Sequence, residues 1–179
     1  VPIDQATAAN PEIARAEFKR LKALGVNIVG QLFAPSTTLY DWQAFLDTAA
    51  QEDLAVIAGF SDAPPLWNGA KFDLGVNEAF LKATQRDPAL YAYLIVDDPF
   101  GPKHGGNITT ERRQILYKQV KGIAPNARVM AQFGRSISKA EQERNPRNAF
   151  KSGMCDICVI GAMEFRNLGD GNRFRRDDL

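Results

Sequence analysis

Apolar side chains recur at three- and four-residue steps over residues 11–24, where Ile13, Ala14, Phe18, Leu21 and Leu24 form one stripe and Arg15, Lys19, Arg20 and Lys22 can face water. The spacing predicts a helix, opened by Asn10 as cap and Pro11 in the first turn, and ended by Gly25. The apolar run at 26–33 then predicts a strand. Helical patterns follow at 41–51, 77–86 (with Asn77 as a cap), 110–122 and 138–151, alternating with strand patterns at 54–60, 90–96, 127–133 and 155–161. Val1-Pro2-Ile3 reads as the remnant of a first strand, which makes about six strand runs. No hairpin turn is expected between these runs, and strands separated by helices of this length join most simply as right-handed parallel βαβ units. Several runs show little in-out alternation, as expected of strands covered on both faces.

Two architectures satisfy the alternation, the doubly wound open sheet and the (β/α) barrel. No strand run is followed by GxGxxG or GxxxxGK[ST], so the phosphate cradle of a nucleotide-binding open sheet is missing and the barrel is favoured. The whole chain, 1–179, reads as a single α/β domain, a parallel TIM-type barrel that is partial, since a full barrel usually takes about 250 residues. The chain begins at Val1 and not Met, which fits a processed product or a piece of a longer protein. A missing C-terminal segment or self-association through open sheet edges is therefore expected. Lys plus Arg number 22 against 21 Asp plus Glu, so no net field exists to grip nucleic acid or an anionic bilayer. No apolar run reaches the roughly 18–20 residues that cross a membrane, so insertion is not expected.

The segment Leu90-Tyr91-Ala92-Tyr93-Leu94-Ile95-Val96-Asp97-Asp98-Pro99 resembles the fourth strand of TIM-barrel glycoside hydrolases, which reads roughly Y-x-x-Y-x-x-x-D-E-P and ends in the acid/base glutamate. Phe18-Lys19-Arg20-Leu21-Lys22-Ala23-Leu24-Gly25-Val26-Asn27 is similar to the F-x-x-L-K-x-L-G-V-N entry to their second strand. The resemblance implies a secreted protein that acts on, or binds, a poly- or oligosaccharide without a cofactor, through paired carboxylates. Asp98 stands where the family has Glu, one methylene shorter, and the family's usual nucleophile lies on a seventh strand.

In a barrel the chemistry gathers at the C-terminal ends of the strands. The tips in this sequence are Asp4, Gln31, Ser61, Asp62, Asp97, Asp98, Gln132 and Glu164. Glycoside hydrolysis needs one protonated and one ionised carboxyl group, and Asp98 with Glu164 is the chosen pair. Asp97 beside Asp98 raises its pKa by like-charge repulsion, although Asp before Pro is also a common turn device. Asp97, Asp4, Gln132 and His104 are the expected polar contacts to substrate. Among the rings, Trp67 is the expected sugar platform, with core packing as its ordinary alternative, and Trp42 is expected to be buried.

His104 is the single histidine, which excludes a His-rich metal site. A hard cation held by Asp97, Asp98 and Glu164 is the weakest of the functional readings, and no metal is expected. Cys155-x-x-Cys158 resembles a redox or zinc motif, but residues three apart on a strand point to opposite faces, so the thiols are expected to be free and divergent. Asn107-Ile108-Thr109 fits a glycosylation acceptor, which matters only in a secreted protein. The C-terminal arginines, among them Arg144, Arg147, Arg173, Arg175 and Arg176, are interleaved with acids and read as solvated surface. A carbohydrate-active barrel thus competes with a noncatalytic carbohydrate-binding or assembly subunit on the same scaffold.

Overall fold

The computed structural model describes residues 1, 3–32, 39–60, 66–96, 109–133 and 151–160. Its elements in chain order are α1 (Gln5–Ala8), α2 (Pro11–Ala23), β1 (Ile28–Leu32), α3 (Leu39–Gln51), β2 (Ala55–Gly59), β3 (Leu66–Trp67), β4 (Phe72–Asp73), α4 (Val76–Thr84), β5 (Leu90–Val96), α5 (Thr110–Ile123), β6 (Val129–Phe133) and β7 (Ile157–Ile160). Five strands form one sheet in the order β1-β2-β5-β6-β7, with every neighbouring pair parallel. The chain end continues that order. Gly30 donates its N–H to Val1 O at 2.8 Å and accepts from Ile3 N at 2.8 Å, the slanted pattern of parallel pairing. Spatial order follows sequence order throughout, and the sheet curls into half a barrel of the (β/α) type.

Local chemistry explains the elements. Asn10 caps α2 by accepting from the N–H groups of Glu12 and Ile13. Ala14, Phe18 and Leu21 bury one face of that helix, whereas Ile13 is 52% and Leu24 69% exposed, so the expected stripe is narrower than its apolar letters. Asn77 does not cap α4. The cap position is Gly75, at φ 51°, and Asn77 is buried two residues later, within the first turn.

The sheet has two unlike faces. The hydroxyl of Tyr93 in β5 lies 2.8 Å from Thr84 Oγ1 of α4, and its ring stacks edge-on against Phe80 at 5.5 Å, which identifies the helix side. Register carries that side to Val29, Val56, Ala58 and Val129, all fully buried under the helices. Trp42, Phe45, Phe18 and Phe80 form the aromatic centre of this layer, with centroid separations of 4.8–5.8 Å. The opposite, lumen side carries Ile28, Ile57, Leu94 and Met130, each only half-buried. Register slips between Val56 and Ile57 and between Leu94 and Val96, so β5 is irregular against both of its neighbours.

One element was not expected. Asn68-Gly69 turns the antiparallel hairpin β3-β4, with Asn68 Oδ1 accepting from Ala70 N and Lys71 N and Gly69 at φ 101°. The Asn-Gly pair was readable in the sequence, but each strand is two residues long and leaves no alternation to notice. The hairpin docks on α5 through reciprocal 2.9 Å bonds between the Gln119 side-chain amide and the Phe72 main chain.

Candidate functional site at the strand tips

All parallel strands end at one rim, so Ile3, Leu32, Gly59, Val96, Phe133 and Ile160 mark the mouth of the half-barrel. Asp97, Asp98, His104 and Glu164 follow these ends and lie outside the described residues, as do Ser61 and Asp62. Gln132 lies in β6 opposite Val159 of β7.

Asp4 sits at the tip of the first strand. Its carboxylate accepts from Thr7 N at 2.9 Å and Thr7 Oγ1 at 2.8 Å, capping α1. These two bonds hold its pKa below the usual carboxylate value, so Asp4 is ionised at neutral pH and unsuited to donating a proton. Beside it runs an open groove of about 430 Å³, bordered by Ile3, Ile13 and the Glu17–Arg20 ion pair, whose closest approach is 2.6 Å.

Trp67 lies on the hairpin and is half-buried. Its ring meets Phe72 edge-on at 5.0 Å, and the Arg112 guanidinium stacks over it at 4.8 Å. Packing between hairpin and α5 accounts for this position. Trp42 is 1% exposed, as expected.

At the far end of the sheet, the main chain and side chain of Asp156 hold β7 in place. Its carboxylate accepts from Tyr117 Oη at 2.7 Å, Val129 N at 2.8 Å and Lys121 Nζ at 3.2 Å, while its own N–H donates to Val129 O at 2.7 Å. Burial by itself would raise the Asp156 pKa, but these hydrogen bonds outweigh it and the value is lowered. The same contact pushes Tyr117 up to about 12, because its hydroxyl proton is shared with the carboxylate. Nothing in the apolar pattern singled out Asp156, since its role depends on α5 passing beside β6.

The expectation of free cysteines is overturned. Cys155 and Cys158 are joined by a disulfide, with Cα atoms 5.7 Å apart. Strand alternation does not separate them because β7 begins only at Ile157, leaving Cys155 outside the strand and a bend at Asp156 between them. Among the described residues, no group of three or more His, Cys, Asp or Glu could hold a metal ion. No helix among them is long and apolar enough to cross a membrane.

No protein-family profile matches the chain, and no curated protein matches it either. Solved structures do. The chain is similar to the beta-1,4-D-mannanase of Cryptopygus antarcticus, with a TM-score of 0.62 and 12% identity over 87% of this chain and 61% of that one. It is also similar to the endo-1,4-beta-mannanase of Eisenia fetida, with a TM-score of 0.54 and 14% identity over 75% of this chain and 54% of that one. The beta-mannanase of the blue mussel Mytilus edulis gives a TM-score of 0.55 and 13% identity over 90% and 70% of the two chains. The chain spans only about three fifths of the first structure's length and about half of the second's. At these identities the likeness is one of fold, and it agrees with the strand order: the chain resembles TIM-barrel glycoside hydrolases and forms a partial parallel (β/α) barrel.

Proposed function

We propose that this half-barrel belongs to a carbohydrate-active barrel, with Asp98 as proton donor and Glu164 as the leading partner carboxylate within this sequence. One observation supports the reading above the others: Asp97-Asp98 directly follows β5, and Glu164 follows β7, two strands away in the same parallel sheet. Neighbouring strands are roughly 4.8 Å apart, so the two chain paths leave the rim about 10 Å from each other, a distance from which two carboxyl groups can converge on one bond. Carboxyl groups about 5–5.5 Å apart attack directly through a covalent intermediate, and about 6.5–9.5 Å leaves room for water. In this reading Asp97 holds Asp98 protonated, while Asp4, ionised and pinned, serves as a hydrogen-bond acceptor for a sugar hydroxyl alongside Gln132 and His104. Trp67 keeps only a peripheral part, with Arg112 over its ring.

The mannanase likeness makes a β-1,4-mannan the first substrate to try. Asp98→Asn is expected to abolish turnover of the polysaccharide while sparing aryl glycosides whose leaving groups need no proton. Equal activity of variant and parent on the polysaccharide would remove the acid role. A second reading, a noncatalytic carbohydrate-binding or assembly subunit, draws on the half-buried lumen side. Glycan binding without hydrolysis would favour it.

A further inference from the structure

We propose that Cys155–Cys158 is a thiol–disulfide exchange site for a small thiol, entered at Cys158, whose redox state sets how firmly β7 stays docked. The two sulfurs are placed unequally. Cys155 is half-buried and packs against the buried pair Ala131 and Met154, whereas Cys158 is exposed. Register puts Cys158 beside Ala131, on the side of the sheet that is buried under helices further along, yet Cys158 itself is exposed on what is, among the described residues, the last strand of the sheet. A thiolate arriving from water therefore reaches the Cys158 sulfur first.

A bridge between residues only three apart closes a small loop, so it restrains the unfolded chain less than a long-loop bridge would. What the loop contains is more informative. Asp156 lies between the cysteines and carries the bonds to Tyr117, Lys121 and Val129 that anchor the entry to β7. The bridge holds the bend that presents this carboxylate, and opening it releases the bend.

The chemistry balances as two exchanges. A thiolate RS⁻ attacks Cys158 Sγ, forming a Cys158–S–S–R bond and breaking the bond to Cys155, whose sulfur leaves with the electron pair and takes a proton from water. A second RS⁻ attacks the sulfur of R in the mixed disulfide, forming RSSR and releasing Cys158 as thiolate, which is also protonated. Two electrons pass from two thiols to the protein bridge.

Glutathione is the probe. Under native conditions the full chain should be reduced by glutathione, and quenching part-way should trap the adduct on the Cys158 peptide in mass spectra. With glutathione disulfide, Cys155→Ser should form the adduct about tenfold faster than Cys158→Ser, following the accessibility of the remaining sulfur. Hydrogen exchange of the parent gives a readout that needs no variant: reduction should speed exchange over 151–160 and leave β1, β2 and β5 unchanged. A bridge reduced only after denaturation, an adduct found mainly on Cys155, or exchange over 151–160 indifferent to reduction would each overturn the proposal.

Discussion

The two sides of the sheet are built from the same kinds of letters and reach different ends. Towards the helices, Val29, Val56, Ala58, Tyr93 and Val129 are wholly enclosed by aromatic and aliphatic side chains. Towards the lumen, Ile28, Ile57, Leu94 and Met130 keep part of their surface in water. Hydrophobic stabilisation scales with area removed from water, so these lumen residues contribute less than their full apolar potential, while the helix layer contributes nearly all of its own. An alternating parallel strand with two apolar sides is thus no proof that both sides are equally buried.

The sharpest way to break this comparison is to truncate one residue from each side. Tyr93→Ala removes a ring enclosed on the helix side and is expected to lower global stability by about 3–5 kcal/mol, read by denaturant titration. Asp156→Ala comes next. It strips three hydrogen bonds from the β7 anchor, at about 1–2 kcal/mol after allowing for partial exposure, and exchange should quicken over 151–160 before the rest of the sheet responds. On the lumen side, Ile57→Ala should cost only about 1–2 kcal/mol, because part of its surface already meets water. A loss equal to that of Tyr93→Ala would show the lumen to be as dry as the helix layer.

The smallest effect is the most specific. Tyr117→Phe should lower stability by about 0.5–1 kcal/mol at neutral pH. Because the folded Tyr117 pKa is raised to about 12, its contribution is complete below the unfolded value near 10 and is lost as pH rises from there through about 12. Asp156 acts in the opposite direction. Its folded pKa is lowered, so its contribution is present above the unfolded value and disappears as pH falls through the folded one. In Tyr117→Phe the alkaline limb of the stability curve should flatten, and the acid limb should shrink, since one donor to Asp156 is gone.

The alternation of elements was legible because each long element carries its own period: α2 starts at Pro11 behind the Asn10 cap, and the five strands of the main sheet each fall within an expected strand run. The failures share a cause, which is dependence on a neighbour the local pattern does not name. Ile13 and Leu24 belong to an apolar stripe but stay largely exposed, and Asn77 has the chemistry of a cap while Gly75 takes that position. The cysteine expectation fails because the apolar run is not strand throughout: Cys155 and Asp156 precede β7. Of the candidate site, the tips of β5 and β7 fall at one rim as expected, and Trp67 proved to be held by Arg112, a partner 45 positions away that no local pattern connects to it.

The slipped register between Leu94 and Val96 has a bearing on any attempt to engineer the rim. A one-residue slip shifts the phase of everything downstream, so counting twos from Tyr93 does not say which of the next two positions is turned inward. Asp97 and Asp98 come immediately after that slip. A designer who transplanted β5 into another barrel without its irregular neighbours would straighten the ladder and change the phase in which the strand delivers whatever follows it, while leaving every letter of the strand intact.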